Sequence, residues 1–142
     1  MPTSTATAVW EGKLRDGRGN FKAGSGVFSG TYSFPTRFEG AKGTNPEELL
    51  AAAEAACLSM ALSAGLEKAG TPATRIETTA ACTLEMVNGT PRITKMDLKV
   101  RGKVAGIDQA TFAKTAEQEK ARCPVSNALA GIPTFTLDAK LE

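Results

Sequence analysis

From Thr5 to Phe34 apolar residues occur in short groups, cut by glycines at 12, 17, 19, 24, 26 and 30 and by the turn signal Asp16-Gly17. Short runs closed by turn residues predict strands. Pro35 to Thr44 interrupts this rhythm. It is rich in glycine, carries Arg37, and reads as irregular. The pattern then becomes helical. Asn45 suits a cap, Pro46 the first helical position, and Glu47 and Glu48 the positive end of the helix dipole. A helix is expected from Pro46 to about Ala69, stopped by Gly70 with Pro72 beyond. Its middle is rich in alanine, a strong helix former that also lets a second helix approach closely.

Alternating residues return in Arg75–Met86 and Arg92–Arg101, joined across Asn88-Gly89, a strong hairpin signal. Asp108 is placed to cap a helix over Gln109–Ala121. The chain breaks at Cys123-Pro124 and restarts as a short helix to Leu129, with Gly131 as its stop. Thr134 to Leu141 puts Phe135, Leu137, Ala139 and Leu141 on one side, the period of a strand. Strands, a long helix, strands, two shorter helices and a last strand make an α+β chain rather than a regular βαβ repeat. With 142 residues it reads as one domain, 1–142.

Composition narrows the function. A net charge of +2, with no basic run, argues against nucleic acid. Met1 to Trp10 lacks the basic start and apolar stretch of a signal peptide. Leu49 to Leu66 contains Glu54 and is mostly alanine, which reads against a membrane span. There is no histidine, which removes Ser-His-Asp and Cys-His nucleophiles and the usual zinc and iron ligands. No metal or cofactor is expected. Three cysteines without an export signal suggest a reducing cytoplasm, where a cysteine pair works rather than staples.

The cysteines differ in setting. Cys57 lies mid-helix among alanines; left alone it is a small buried hydrophobe with an inert thiol, and it needs a positive neighbour to react. Cys123 precedes Pro124 at the start of a helix, where the dipole favours a thiolate, so local physics makes it the better candidate for an acidic thiol. Cys82 sits in a strand pattern with no partner signal and reads as structural. No CxxC motif is present, and spacing alone does not say whether Cys57 and Cys123 meet.

Several segments in order carry a resemblance: VWEG (Val9–Gly12), TRFEGAKG (Thr36–Gly43), TNPEELLAAAEAACLSMALS (Thr44–Ser63), ITKMDLKV (Ile93–Val100), GID (Gly106–Asp108) and CPVSNAL (Cys123–Leu129). Together they resemble the osmotically inducible protein C (OsmC) family, and OsmC proper more than its organic hydroperoxide resistance branch. The resemblance implies an intertwined homodimer with antiparallel sheets around long central helices and active sites at the subunit interface. It also implies a thiol peroxidase acting on organic hydroperoxides, and on hydrogen peroxide, in oxidative and osmotic stress defence. By that resemblance Cys57 attacks the peroxide and Cys123 resolves the sulfenic acid as a disulfide, with Arg37 and Glu47 assisting. The reductant would be a dithiol or lipoyl-type donor.

A thiol with pKa about 8.5 is about 3% ionised at neutral pH, and lowering it by three units takes about 4 kcal/mol. One guanidinium at about 4 Å supplies on the order of that at an effective dielectric near 20. Arg37 is therefore about enough. Glu47 and Cys57 are ten residues apart, about 15 Å along a helix, too far for one arginine head to touch both. The expectation is that Glu47 serves the other subunit's Cys57 across a two-fold axis. Phe34, Phe38, Leu58 and Ile132 are candidate apolar walls for the substrate. One departure stands out: the family helix often reads AAHAAC, whereas here Glu54 precedes Cys57 by three residues. A carboxylate facing the sulfur would raise its pKa and slow the reaction. A redox sensor using the same disulfide, a small-molecule binding protein and a structural dimer module are the competing classes.

Overall fold

The computed structural model describes residues 1–142, which divide into two compact units, Met1–Pro46 and Glu47–Glu142. The first unit is an antiparallel meander of β1 (Ala6–Glu11), β2 (Arg18–Ala23) and β3 (Ser29–Tyr32), in spatial order β1-β2-β3. Gly19 pairs with both Trp10 and Tyr32, so the two rings lie over a position without a side chain. Their centroids are 5.7 Å apart.

The stretch expected to be irregular opens with a helix, α1 (Phe34–Phe38). Ser33 and Thr36 form a reciprocal capping box, and Pro35 occupies the first turn. Phe34 and Phe38, one turn apart, stack at 4.9 Å. A five-residue helix is too short for periodicity to reveal, and the Ser-x-x-Thr signature was its only announcement.

The second unit begins with α2 (Pro46–Lys68), as expected. Its end is a Schellman turn: Gly70 adopts φ +84°, the Gly70 N–H bonds Glu67 O, and the Thr71 N–H bonds Leu66 O. By length and composition α2 also resembles a membrane span, with a mean hydropathy of 1.7. Glu54, Leu58, Leu62 and Leu66, at helical spacing, are buried within the chain, so one stripe of α2 belongs to the core.

A long hairpin follows, β4 (Ala73–Val87) and β5 (Thr90–Val104). Asn88 and Gly89 both take positive φ, the requirement of a type I′ turn. Then come α3 (Gln109–Arg122), capped by Asp108 through the Thr111 N–H, α4 (Pro124–Ala128) and β6 (Thr134–Leu141). The α+β class holds, with one correction. The second sheet, β4-β5-β6, is mixed rather than antiparallel, because β6 runs parallel to β5. A parallel neighbour requires a crossover, and α3 with α4 forms it.

Met96, Leu98 and Val100 alternate along β5 onto one face and meet Leu58, Leu62 and Leu66 of α2, Phe112 and Ala116 of α3, and Ala139 of β6. Gly102 continues that face. A Cβ there would fall 2.5 Å from Phe112 Cζ, so the glycine is the seat in which the ring rests.

Candidate functional site

The Cys57 and Cys123 sulfurs stand 2.8 Å apart. An S–S bond is about 2.05 Å, so these are two unbonded thiols in contact. Two sequence signals bring them together. Cys57 projects from the middle of α2, and Cys123 sits at the break between α3 and α4. The Cys123 N–H bonds Glu119 O at 2.8 Å and closes α3, while the same residue caps α4 with its sulfur accepting the Ser126 N–H at 3.5 Å. Cys123 is thus held from both sides and has no exposed surface. Cys57 is half-buried and keeps some access to solvent.

The Cys57 thiol is pushed above its ordinary value, first by burial, then by the hydrogen bond with Cys123. The charges of Cys123 and Glu54 push the same way, and a backbone hydrogen bond from Val125 pulls it down. Glu54 therefore faces the site, as feared from the sequence. Its carboxyl is fully buried and accepts the Ser126 hydroxyl through Oε1. Ser126 and Val125 escaped the sequence reading. The available signal was their position in the first turn after Cys123-Pro124, where free N–H groups point back toward the cap.

Three of the other expected site residues belong to the first unit. Arg37, Phe34 and Phe38 line one cavity of about 260 Å³ in the N-terminal unit, together with Trp10, Leu14, Tyr32 and Ser33. The Arg37 guanidinium lies 5.4 Å from the centre of the Phe38 ring. Arg15, which the sequence did not single out, lies 4.6 Å over Phe34. Leu58 is a correction: it is wholly enclosed in the core and presents no wall to a substrate. Ile132 is half-buried and packs against that same core.

Glu47 is buried in the first turn of α2, and it is not among the groups that perturb its own chain's Cys57. Its charge acts instead on Cys82, whose thiol is raised first by burial and then by Glu47. Cys82 lies on β4 opposite Met96, packed against the core. No three Cys, Asp or Glu side chains converge as a metal site would require.

The family model of OsmC-like proteins matches residues 39–138. Peroxiredoxin OsmC of Escherichia coli strain K12 is 48% identical over 136 residues, covering 95% of this chain and 94% of that one. Peroxiredoxin OsmC of Shigella flexneri matches equally. An organic hydroperoxide resistance protein from Elizabethkingia anophelis, solved with thiocyanate bound, superposes with a TM-score of 0.75 at 26% identity, covering 99% of this chain and 98% of that one. OhrB of Bacillus subtilis shares the fold, with a TM-score of 0.73 at 24% identity over 97% and 98% of the two chains. On the family match and the identity across nearly its whole length, the chain belongs to the OsmC-like protein family.

Proposed function

We propose that this protein is a thiol-dependent peroxidase that reduces organic hydroperoxides, and hydrogen peroxide with them, through Cys57 and Cys123. The 2.8 Å contact between a half-buried and a fully buried thiol carries the reading. Access orders the pair: a hydroperoxide meets Cys57 first, and Cys123 waits behind it. Local sequence chemistry had favoured Cys123 as the reactive thiol, and burial argues the reverse.

The Cys57 thiolate attacks the distal peroxide oxygen. The O–O bond breaks, the alkoxide leaves as alcohol after taking a proton, and Cys57 becomes a sulfenic acid. Cys123 then attacks that sulfur. An S–S bond forms, the S–O bond breaks, and the hydroxyl leaves with the Cys123 proton as water. A dithiol or lipoyl-type donor reduces the disulfide and is itself oxidised.

Burial and Glu54 both oppose Cys57 ionisation, so the first step needs a cation. We assign that role to Arg37, whose guanidinium also hydrogen-bonds the leaving oxygen. Phe34 and Phe38, in the same cavity as Arg37, are the apolar walls for an organic peroxide. Glu47 orients Arg37 at the Cys57 of a second subunit; this fits its action on Cys82 rather than on Cys57 in its own chain. Leu49 and the 76% exposed Met60 of α2 supply apolar surface for such a homodimer. Residues 1–142 work as one peroxidase domain in the cytoplasm, in oxidative and osmotic stress defence.

The test is consumption of an organic hydroperoxide and of hydrogen peroxide with excess dithiol. Cys57→Ser abolishes turnover, and Cys123→Ser leaves a sulfenic acid that forms no intramolecular disulfide. Turnover in Cys57→Ser would end the proposal.

A further inference from the structure

Glu54 is the one buried ionisable group at the site that the reaction above leaves without a task. It lies one turn before Cys57 on α2 and is 0% exposed. Oε1 accepts the Ser126 hydroxyl, while Oε2 is equally removed from water and has no hydrogen-bond partner in the chain. Ser126 is itself buried and gives its backbone N–H to the Cys123 sulfur at 3.5 Å. A continuous set of contacts therefore runs from the Glu54 carboxyl through Ser126 to Cys123, and across 2.8 Å to Cys57.

A carboxyl buried in an apolar helix with one oxygen unsatisfied destabilises the fold relative to a packed hydrophobe. Leucine in that position would extend the Leu58, Leu62, Leu66 stripe. The acid thus stands against the preference of the core, and its single partner is the residue that faces the Cys123 sulfur.

Resting on the peroxidase reading, we infer that Glu54 is a positioning residue that divides the two half-reactions: through Ser126 it holds Cys123 for disulfide closure, and through its charge it restrains the first attack by Cys57. In closure the Cys123 sulfur becomes negative as its proton departs, and the Ser126 N–H is aimed at that charge. Anchoring the Ser126 side chain fixes that N–H and the first turn of α4. The cost falls on the attack step. Within the second unit the titratable groups acting on the Cys57 thiol are Glu54 on its own helix and Cys123 from the α3–α4 junction, both of which oppose its ionisation and work against the Arg37 cation assigned above, while α4 offers the Val125 N–H. The site favours rapid closure over rapid attack, which limits the life of the sulfenic acid and its further oxidation.

The test is single-turnover oxidation of the full chain by an organic hydroperoxide across pH, reading sulfenic acid with a dimedone-type trap and disulfide by loss of free thiol. Glu54→Gln keeps an acceptor for the Ser126 hydroxyl and removes the charge. Its attack profile moves down by about one pH unit, while closure keeps the wild-type rate. Glu54→Leu moves the attack profile likewise, but closure slows by about tenfold and trapped sulfenic acid accumulates. Ser126→Ala slows closure without moving the attack profile downward, and Ser126→Thr, which keeps the hydroxyl, restores it. Closure at the wild-type rate in both Glu54→Leu and Ser126→Ala overturns the inference, as does an attack profile in Glu54→Gln that stays in place. A wild-type protein that forms no sulfenic acid at Cys57 instead overturns the peroxidase reading beneath it.

Discussion

Replacing Gly102 by alanine tests the seat on which α3 rests, and so the element that delivers Cys123. The added methyl carbon would lie 2.5 Å from Phe112 Cζ and 2.7 Å from Cε2. Comfortable carbon contacts need about 3.5–4.0 Å, an overlap of about 1 Å against a ring with no exposed surface. Overpacking of this kind costs about 1–3 kcal/mol. Gly102 does not use a left-handed backbone, so alanine recovers about 0.4–1 kcal/mol by restricting the unfolded chain. The net expectation is a loss of about 1–2 kcal/mol. At about 2–4 °C per kcal/mol for a chain of this size, Tm falls by about 2–8 °C. Thermal and urea unfolding at one fixed protein concentration read it. Phe112→Leu removes the clashing Cζ and alone costs about 1–2 kcal/mol by leaving a void. In the double variant the alanine methyl fills part of that void, so the two losses fall short of their sum by about 1 kcal/mol or more. Losses that add to within about 0.5 kcal/mol would refute the seat, because independent sites add.

Arg37→Met leaves burial, Cys123 and Glu54 nearly unopposed at the Cys57 thiol. On the proposed assignment its alkylation midpoint should rise above that of the wild type; equal midpoints would remove Arg37 from the site. Cys82→Ser should retain peroxide turnover, since Cys82 packs against the core and is perturbed by burial and Glu47, not by the other cysteines. Acid should weaken the fold. The Asp97, Asp108 and Asp138 carboxyls are held below the usual range, chiefly by Thr136, Thr111 and Arg101 respectively. A lowered folded-state pKa stabilises above the unfolded value, about 3.9, and that contribution disappears as pH falls through the folded values. The urea midpoint should therefore hold down to about pH 5 and drop as pH falls through about 3.9 and below, and a flat profile would show these carboxyls to be uncoupled from folding.

Much of the framework is written in local signals. Asn45-Pro46-Glu47-Glu48 starts α2, Gly70 ends it, Asn88-Gly89 turns the long hairpin, and Asp108 starts α3. Each is a backbone requirement met by a particular residue, and such requirements are legible without knowing the tertiary fold. The pairing of β6 was not legible, because alternation reveals a strand's faces and not its neighbour or direction. Leu58 was misjudged for a related reason. On α2 it is next to Cys57 in sequence but points 100° away, into the core, so adjacency in sequence is not adjacency in the site. Burial, a property of the whole second unit, is what separates access to the two thiols, and no local signal carries it. Ser126 was legible only in part: its place after Cys123-Pro124 signals the N–H at the Cys123 sulfur, but its hydroxyl's partner, Glu54, is 72 positions away.

The parallel pairing of β5 with β6 also fixes when the site comes into being. The α3–α4 crossover is held at its start by the end of β5 and at its finish by β6, which follows it in the chain. Cys57 belongs to α2 and needs neither strand to be placed on its helix, whereas the contact with Cys123 depends on a crossover closed by Thr134–Leu141. On the proposed mechanism, a molecule in which β6 had not docked would keep Cys57 without Cys123 beside it. Its sulfenic acid could form once, yet no disulfide would close, and it would be open to further oxidation. Docking of β6 thereby couples turnover to completion of the second sheet.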